Sequence, residues 1–393
     1  MPLPNVNITI ANGQLGRVAV VDDAVAGMVL SGQATEELAL STPVQLFSFA
    51  QLTALGIDED TNPLAYKDVK AFYNQAGEGA ELWIMLVSNA LSLEDICDET
   101  LGYAKNLLDA AAGRIRLLGI NRELPSEYDP IINDGLDPDV FLALANLEAM
   151  AGHYSEAYKP FRSLLPGLLF DDANVAQLRD LKENSDNHVA IMLGCDTSDS
   201  VAIGLALGRL AAIPVQRNIA RVKDGDVGLA AAYFHDGTPT ADMEANWGSM
   251  HDKGYIFFRR IYGKSGFFFT DDPTATADTD DFSSIARGRV IDKALVIAYR
   301  TFVEELNEEI PVKADTGYVA HALIAAWKTN IEQALGINMT AKKEIVKAEC
   351  YIDPNQNVLA TDTIYATIKI LPVGYAKFIE ITLGLSNPYN TTQ

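Results

Sequence analysis

Cysteine is scarce in this chain of 393 residues. Cys97, Cys195 and Cys350 are odd in number, far apart and in no CxxC pair. That argues against a disulfide framework and fits a reducing compartment. Histidine is nearly as sparse. His153, His188, His235, His251 and His321 form no HxH or HExxH spacing, so each reads as a surface or structural residue rather than a metal ligand. Positive charge is short as well: 30 Lys and Arg stand against 53 Asp and Glu, a formal net charge of −23. A surface this acidic repels phosphate, which argues against nucleic acid and anionic membranes as partners. The same like charge keeps free subunits apart until specific contacts overcome the repulsion.

Long apolar runs are missing too, so no bilayer span is expected. The N-terminus, MPLPNVNITIANGQLG, has neither a basic n-region nor an apolar h-region, so no signal peptide is expected and the expected location is cytoplasmic. Neither GxSxG nor, after the first strand, GxGxxG occurs. YGKSG (262–266) fails the phosphate-loop pattern, because Phe258 stands where the leading Gly is required. A hairpin turn between FFRRIY and FFF is the better reading.

What the chain does have is apolar content, 48%, enough for sizeable cores in two or three domains. Residues 5–11 (NVNITIA) and 17–21 (RVAVV) alternate around an Asn12-Gly13 turn and predict a hairpin or extended arm. From residue 44, buried-strand and helical patterns take turns. Strands are predicted at 81–88, 114–120, 163–170 and 188–194, and helices at 92–113, 137–153, 171–184 and 200–213. Ser92 with Asp95 predicts a capped start for the first of these helices, and Gly113 its stop. This alternation predicts a mainly parallel twisted sheet with helices on both faces.

Residues 214–255 read as irregular, with one buried strand near 227–234. An acidic, Thr-rich loop (271–281) follows the 257–269 hairpin and reads as solvated. Two helices, 281–308 and 317–335, and three alternating strands, 343–353, 362–372 and 376–386, complete an α+β domain with antiparallel strands. The fold class is α/β plus α+β. The expected divisions are an arm (1–22), an α/β body (23–256) and a C-terminal domain (257–393).

One motif invites chemistry. In DTSDS (196–200), Asp196, Ser198 and Ser200 match D-x-S-x-S between a strand and a helix, resembling the metal-ion-dependent adhesion sites of von Willebrand A-type domains. One carboxylate and two hydroxyls suit a hard cation. Ser and Asp are equally the preferred caps for a helix starting near Val201. Cys195, at a strand end before a helix, is a conceivable nucleophile, but His188 on the same strand is badly placed as its base. GLALG (204–208) predicts close packing against the sheet. No cofactor is expected, and a metal only under the DTSDS alternative. An adhesion domain and an α/β enzyme remain the other classes.

Residues 43–87 carry a resemblance. PVQLFSFAQLTALG, NPLAYKDVKAFYNQAGEG and AELWIMLV resemble a recurring segment of contractile tail sheath proteins, found in phages and related injection machines. Each piece has local logic. Ser48 can cap a helix, Pro63 suits a first helical turn, and Gly77 with Gly79 permits the reversal into a strand. RGRVIDKALVIAYRTFVEEL, TGYVAHALIAAWKTNIEQAL and the closing AKFIEITLGLS resemble the sheath C-terminal domain, most nearly that of a divergent branch from phages and prophages. The commoner Pro-Gly-Val-Tyr opening is replaced here.

The resemblance implies a structural subunit rather than an enzyme. It implies a helical homo-oligomer around a tail tube protein, with baseplate and tail terminator as further partners. Assembly would take place in the host bacterial cytoplasm, giving a virion tail or injection-machine sheath. It also implies that both chain ends cross to neighbours and complete their sheets. That points to Val6, Ile8 and Ile10 in the first arm, and to Phe378, Ile379, Ile381 and Leu383 in a second arm at about 376–393.

Overall fold

The computed structural model describes residues 23–197 and 200–384. The expected N-terminal arm, including Val6, Ile8 and Ile10, lies outside the described residues, as do Ser198 and the last residues of the C-terminal arm.

The chain enters through strand β1 (Ala26–Gly32), every residue of which is buried. β2 (Val44–Leu46), helix α1 (Phe49–Ala54), α2 (Pro63–Ala76) and β3 (Leu82–Ser88) follow. Pro63 opens α2, and Gly77 and Gly79 close it at φ of 82° and 92°, as the sequence requires. Ser48 holds the N-cap position of α1, but its hydroxyl caps no amide; the Phe49 N–H donates to Glu78 instead (3.3 Å).

The expected single helix over 92–113 is two: α3 (Leu93–Cys97) and α4 (Tyr103–Ala110). Ser92 and Asp95 form the capping box that starts α3. Asp98 then breaks the helix, because its Oδ1 accepts from both the amide and the hydroxyl of Thr100 (2.7 Å each) and offers the backbone a turn. β4 (Leu117–Asn121), α5 (Pro138–Glu156) and β5 (Arg162–Pro166) come next.

The expected helix over 171–184 is a pair of 3-10 turns, Asp172–Gln177 and Leu181–Glu183. Asp171 and Asp180 each accept an amide two residues on, which favours turns over an α-helix. β6 (Ser185–Asp186), β7 (Val189–Met192), β8 (Cys195–Thr197), β9 (Ser200–Val201) and α6 (Ile203–Ala212) complete this half.

The sheet order is β2-β3-β1-β4-β5-β7, parallel throughout except for β2 at one edge. Helices cover both faces. Ile203 and Leu207 of α6 fill the space above Gly119, and Ile115 with Leu107 of α4 fills that above Gly27. Gly27 and Leu118 are register partners, so Gly119 points to the opposite face. The GLALG glycines serve a different neighbour from the one expected. They bring α6 onto α2, where a Cβ on Gly204 would collide with the Asp68 carbonyl and one on Gly208 would stand 2.5 Å from that of Phe72.

Residues 227–234 form no strand; Tyr233 makes isolated bridges to Cys195 and Pro239. Helix α7 (Trp247–Asp252) precedes the expected hairpin of β10 (Phe258–Arg259) and β11 (Phe268–Phe269). The acidic loop is not solvated over its first half. Asp271, Asp272 and Thr274 are buried, and β12 (Ala275–Thr276) pairs with β6.

Helix α8 (Ile285–Phe302), α9 (His321–Leu335), β13 (Ile345–Ile352), α10 (Val358–Thr361) and β14 (Ala366–Pro372) form the last part. One hydrophobic cluster runs from Val25 to Ile285, and a second from Val290 to Ile352 with Val215 added. β13 and β14 make a two-stranded antiparallel sheet on α9. The expected strand over 376–386 is not seen in its described part: residues 376–384 pair with no strand among the described residues.

Helix α8 joins the two clusters through buried charge. Arg162 of β5 donates from Nε and Nη2 to the two oxygens of Asp292, 2.7 Å each. Lys293 reaches Glu344 at 2.7 Å and Asp23 at 2.5 Å. Removing one partner from such a pair leaves a buried charge uncompensated, which costs far more than the intact pair contributes.

Candidate functional site

On either side of Ser198 and Asp199, β8 and β9 pair antiparallel, with Thr197 opposite Ser200 and Cys195 opposite Val201. Asp196 pairs with Lys67 of α2 at 2.9 Å, so an ammonium already faces its carboxylate. Ser200 is a strand residue and not a helix cap; α6 starts after Ala202, without a side-chain cap. The Ser200 hydroxyl is buried without a hydrogen-bond partner among the described residues. Cys195 is fully buried, and His188 is engaged with Glu148 at 2.7 Å, so no thiol–imidazole pair forms. Among the described residues, Asp171, Asp172 and Asp236 converge at the surface, where two of them already accept backbone amides.

Ligands of open α/β sheets bind beyond the carboxyl ends of the strands, where strand order reverses. Here that region, between β1 and β4, is filled by side chains bonded to one another. Asn121 donates to Asp68 Oδ2 (2.8 Å) and to the Val201 carbonyl (2.9 Å). Arg122 donates to Asp139 (3.0 Å), and Asn62 accepts from the Gln33 amide (2.7 Å). Burial pushes the Asp68 carboxyl up to about 6, against the opposing charge of Lys67. These groups tie helices to strand ends.

The most distinctive surface lies at the C-terminal end. After β14 the chain crosses back to the body and is fixed at two points. Tyr375 donates to the Gln216 carbonyl (2.5 Å), and Lys377 Nζ stands 2.6 Å from Asp271 Oδ2. Asp271 also accepts from Asn218 (2.5 Å) and faces His251 Nε2 at 3.5 Å. Burial pushes its carboxyl up, but the His251 hydrogen bond and the Lys377 charge outweigh burial and hold it well below the usual range. His251 is raised in turn, chiefly by that hydrogen bond.

Neighbouring Asp272 accepts from Asn218 and from the Ala286 amide at the start of α8 (3.0 Å). Burial first, and the charge of Asp271 second, push it far above the usual range. Nothing in the sequence identified this anchor, since DDP reads locally as a solvated turn. The partners arrive from residues 218, 251, 286 and 377.

Beyond the anchor the chain is bare. Phe378, Ile379, Ile381 and Leu383 are 83%, 77%, 74% and 90% exposed. The β13–β14 sheet is likewise open: each strand has one paired edge among the described residues, and Tyr351 and Leu371 are exposed.

Two family models match, described as DUF2586, N-terminal domain, over residues 3–273, and DUF2586, C-terminal domain, over residues 281–390. No curated protein matches the sequence. Among solved structures, the contracted helical sheath of the anti-feeding prophage is similar at a TM-score of 0.66 and 14% identity, covering 98% of this chain and 100% of the other. The contracted sheath complex of the extracellular contractile injection system PVC gives 0.66 and 12%, with 99% of each chain covered. A chain of the anti-feeding prophage baseplate gives 0.61 and 14%, over 98% of this chain and 100% of that one. The fold of this chain is thus that of contractile-sheath proteins.

Proposed function

Since the chain belongs to the DUF2586 family through both of its domains, and carries the fold of contractile-sheath proteins over nearly its whole length, we propose that it is a non-enzymatic sheath subunit. It polymerises helically around a tail tube and contracts to drive that tube through a target envelope. Baseplate and terminator proteins bound the assembly at its two ends. Subunits are made in the host bacterial cytoplasm and end in a virion tail or an injection machine.

The observation that carries this reading is the C-terminal arm. A segment with Phe378, Ile379, Ile381 and Leu383 each at least 74% exposed, and no strand partner among the described residues, is suited to adding a strand to a neighbour. The open β13–β14 sheet is a matching acceptor, because unpaired edges are templates for strand addition. Head-to-tail contacts of this kind generate a helical array when their rotation does not close a ring. The first arm, with Val6, Ile8 and Ile10, serves in the same way. Strand links tie bodies together without fixing their relative orientation, and contraction then requires a lattice with two packings.

Negative-stain microscopy of the concentrated protein tests this. Tubes or stacked rings are expected from the full chain, and a folded, dispersed monomer after deletion of residues 376–393. Ordered polymers from the truncated chain would sink the arm's role.

A further inference from the structure

The net charge of −23 is unevenly divided along the chain. Residues 310–393 contain seven Lys, no Arg and seven Asp or Glu, and so are neutral. Residues 1–309 hold the other 23 basic and 46 acidic side chains, and with them the whole of the excess. The neutral part is the module of α9, β13 and β14 with its arm.

Exposed apolar surface is divided the opposite way. Of the twenty large apolar side chains exposed among the described residues, ten lie between Ile337 and Leu383. They include Val346, Tyr351 and Leu371 on the two strands, besides the arm. One part of the subunit carries no net charge and exposes apolar side chains; the other is anionic.

We propose that this segregation gates assembly by ionic strength. The C-terminal module is the contact surface for a second copy of this chain, and the anionic body opposes the close approach that such contact demands. This rests on the sheath reading above and adds a condition to it. Charge selects the occupant. A basic partner would be drawn to the body, not to the neutral module, whereas the bare arm and the open β13–β14 edges are a strand donor and a strand acceptor on one chain, so a second copy supplies what each lacks. A second copy meets the module without a charge mismatch, and only the two bodies remain in conflict.

That conflict is screened by salt. The Debye length falls from about 10 Å at 0.1 M to about 3 Å at 1 M ionic strength, so bodies that repel in dilute buffer can pack in concentrated salt. Contacts made by apolar side chains and main-chain hydrogen bonds are not weakened by the same change. Glu36, Glu37, Glu59 and Glu127 are exposed acids of the body that bear the repulsion without lining the arm or its anchor.

The test is the critical concentration for polymerisation of the full chain, measured by sedimentation, with microscopy to score ordered tubes. Between about 50 and about 500 mM NaCl it is expected to fall at least about tenfold. A variant carrying E36Q, E37Q, E59Q and E127Q should form the same tubes at lower salt than the parent. A full-length Ile381→Pro chain should stay dispersed throughout. A critical concentration that is flat or rises with salt, amorphous precipitate in place of tubes, or tubes from Ile381→Pro would overturn the inference while leaving the parent's polymerisation intact as a separate fact. No ordered polymer at any salt would overturn the sheath reading and this inference together.

Discussion

The ammonium of Lys377 lies 2.6 Å from Asp271 Oδ2 and fixes the last tethered residue of the C-terminal segment beside the start of α8. One residue later the chain is 83% exposed. Lys377→Gln should therefore loosen residues 373–377 without unfolding the body. Lys377 is itself partly exposed, so the loss in global stability should be only about 1 kcal/mol or less. Limited proteolysis should quicken several-fold at that segment alone. Uniform quickening across the body would contradict the assignment.

The anchor should also respond to pH. Asp271 is depressed below its ordinary 3.8, so its contribution is present above that value and is lost only as pH falls through the lower folded value. His251 is raised above 6.5, so its contribution is full below 6.5 and disappears as pH rises through the raised value. The contribution of this anchor to stability in urea should be full between 3.8 and 6.5 and decline as the pH rises past 6.5. His251→Gln should remove the decline on the alkaline side.

Asp68 has the opposite sign to Asp271. Its folded value of about 6 exceeds the ordinary 3.8, so the folded chain holds the proton more tightly than the unfolded chain. The resulting stability is full below pH 3.8 and is lost as pH rises through about 6; the shift is equivalent to roughly 3 kcal/mol. Asp68→Asn keeps an acceptor for Asn121 and removes the titration. Urea unfolding should show it more stable than the parent at pH 8, with a flatter profile between pH 4 and 6.

Gly208→Ala places a Cβ 2.5 Å from the Phe72 carbonyl oxygen, against backbone that cannot rotate aside. Helix α6 must lift off α2, at about 1–3 kcal/mol by the usual cost of overpacking. A fall in the urea midpoint is expected. An unchanged midpoint would show that the two helices are not held at this distance in solution.

A proline within the arm should act on assembly alone. Ile379→Pro removes one main-chain donor from a residue that is 77% exposed. The melting temperature of the monomer should hardly move, and polymer yield should collapse. A lowered melting temperature with normal polymers would reverse the assignment.

Residues 43–87 were legible because each turn in them is set by a local residue: Pro63 opening α2, Gly77 and Gly79 closing it, and an unbroken apolar run for β3. The two helices expected as one at 92–113 show where local reading fails. Asp98 competes for Thr100 over two residues, and apolar periodicity does not register that competition. Asp271 and Asp272 failed for a different reason. Two adjacent carboxylates read as exposed, and only Asn218, His251, Ala286 and Lys377, distant in sequence, make their burial tolerable. Of the candidate site, the alternation of Phe378 to Leu383 was visible in the sequence, but the point at which the segment leaves the body was not.

The position of that departure has a mechanical consequence. A pull on the arm meets Lys377 and Tyr375 before it meets Pro372, the last residue of β14. Tension is passed into the body near the base of α8, and through Arg162 and Asp292 into the central sheet. The β13–β14 hairpin, which would otherwise unzip one hydrogen bond at a time from its end, is left out of the line of force.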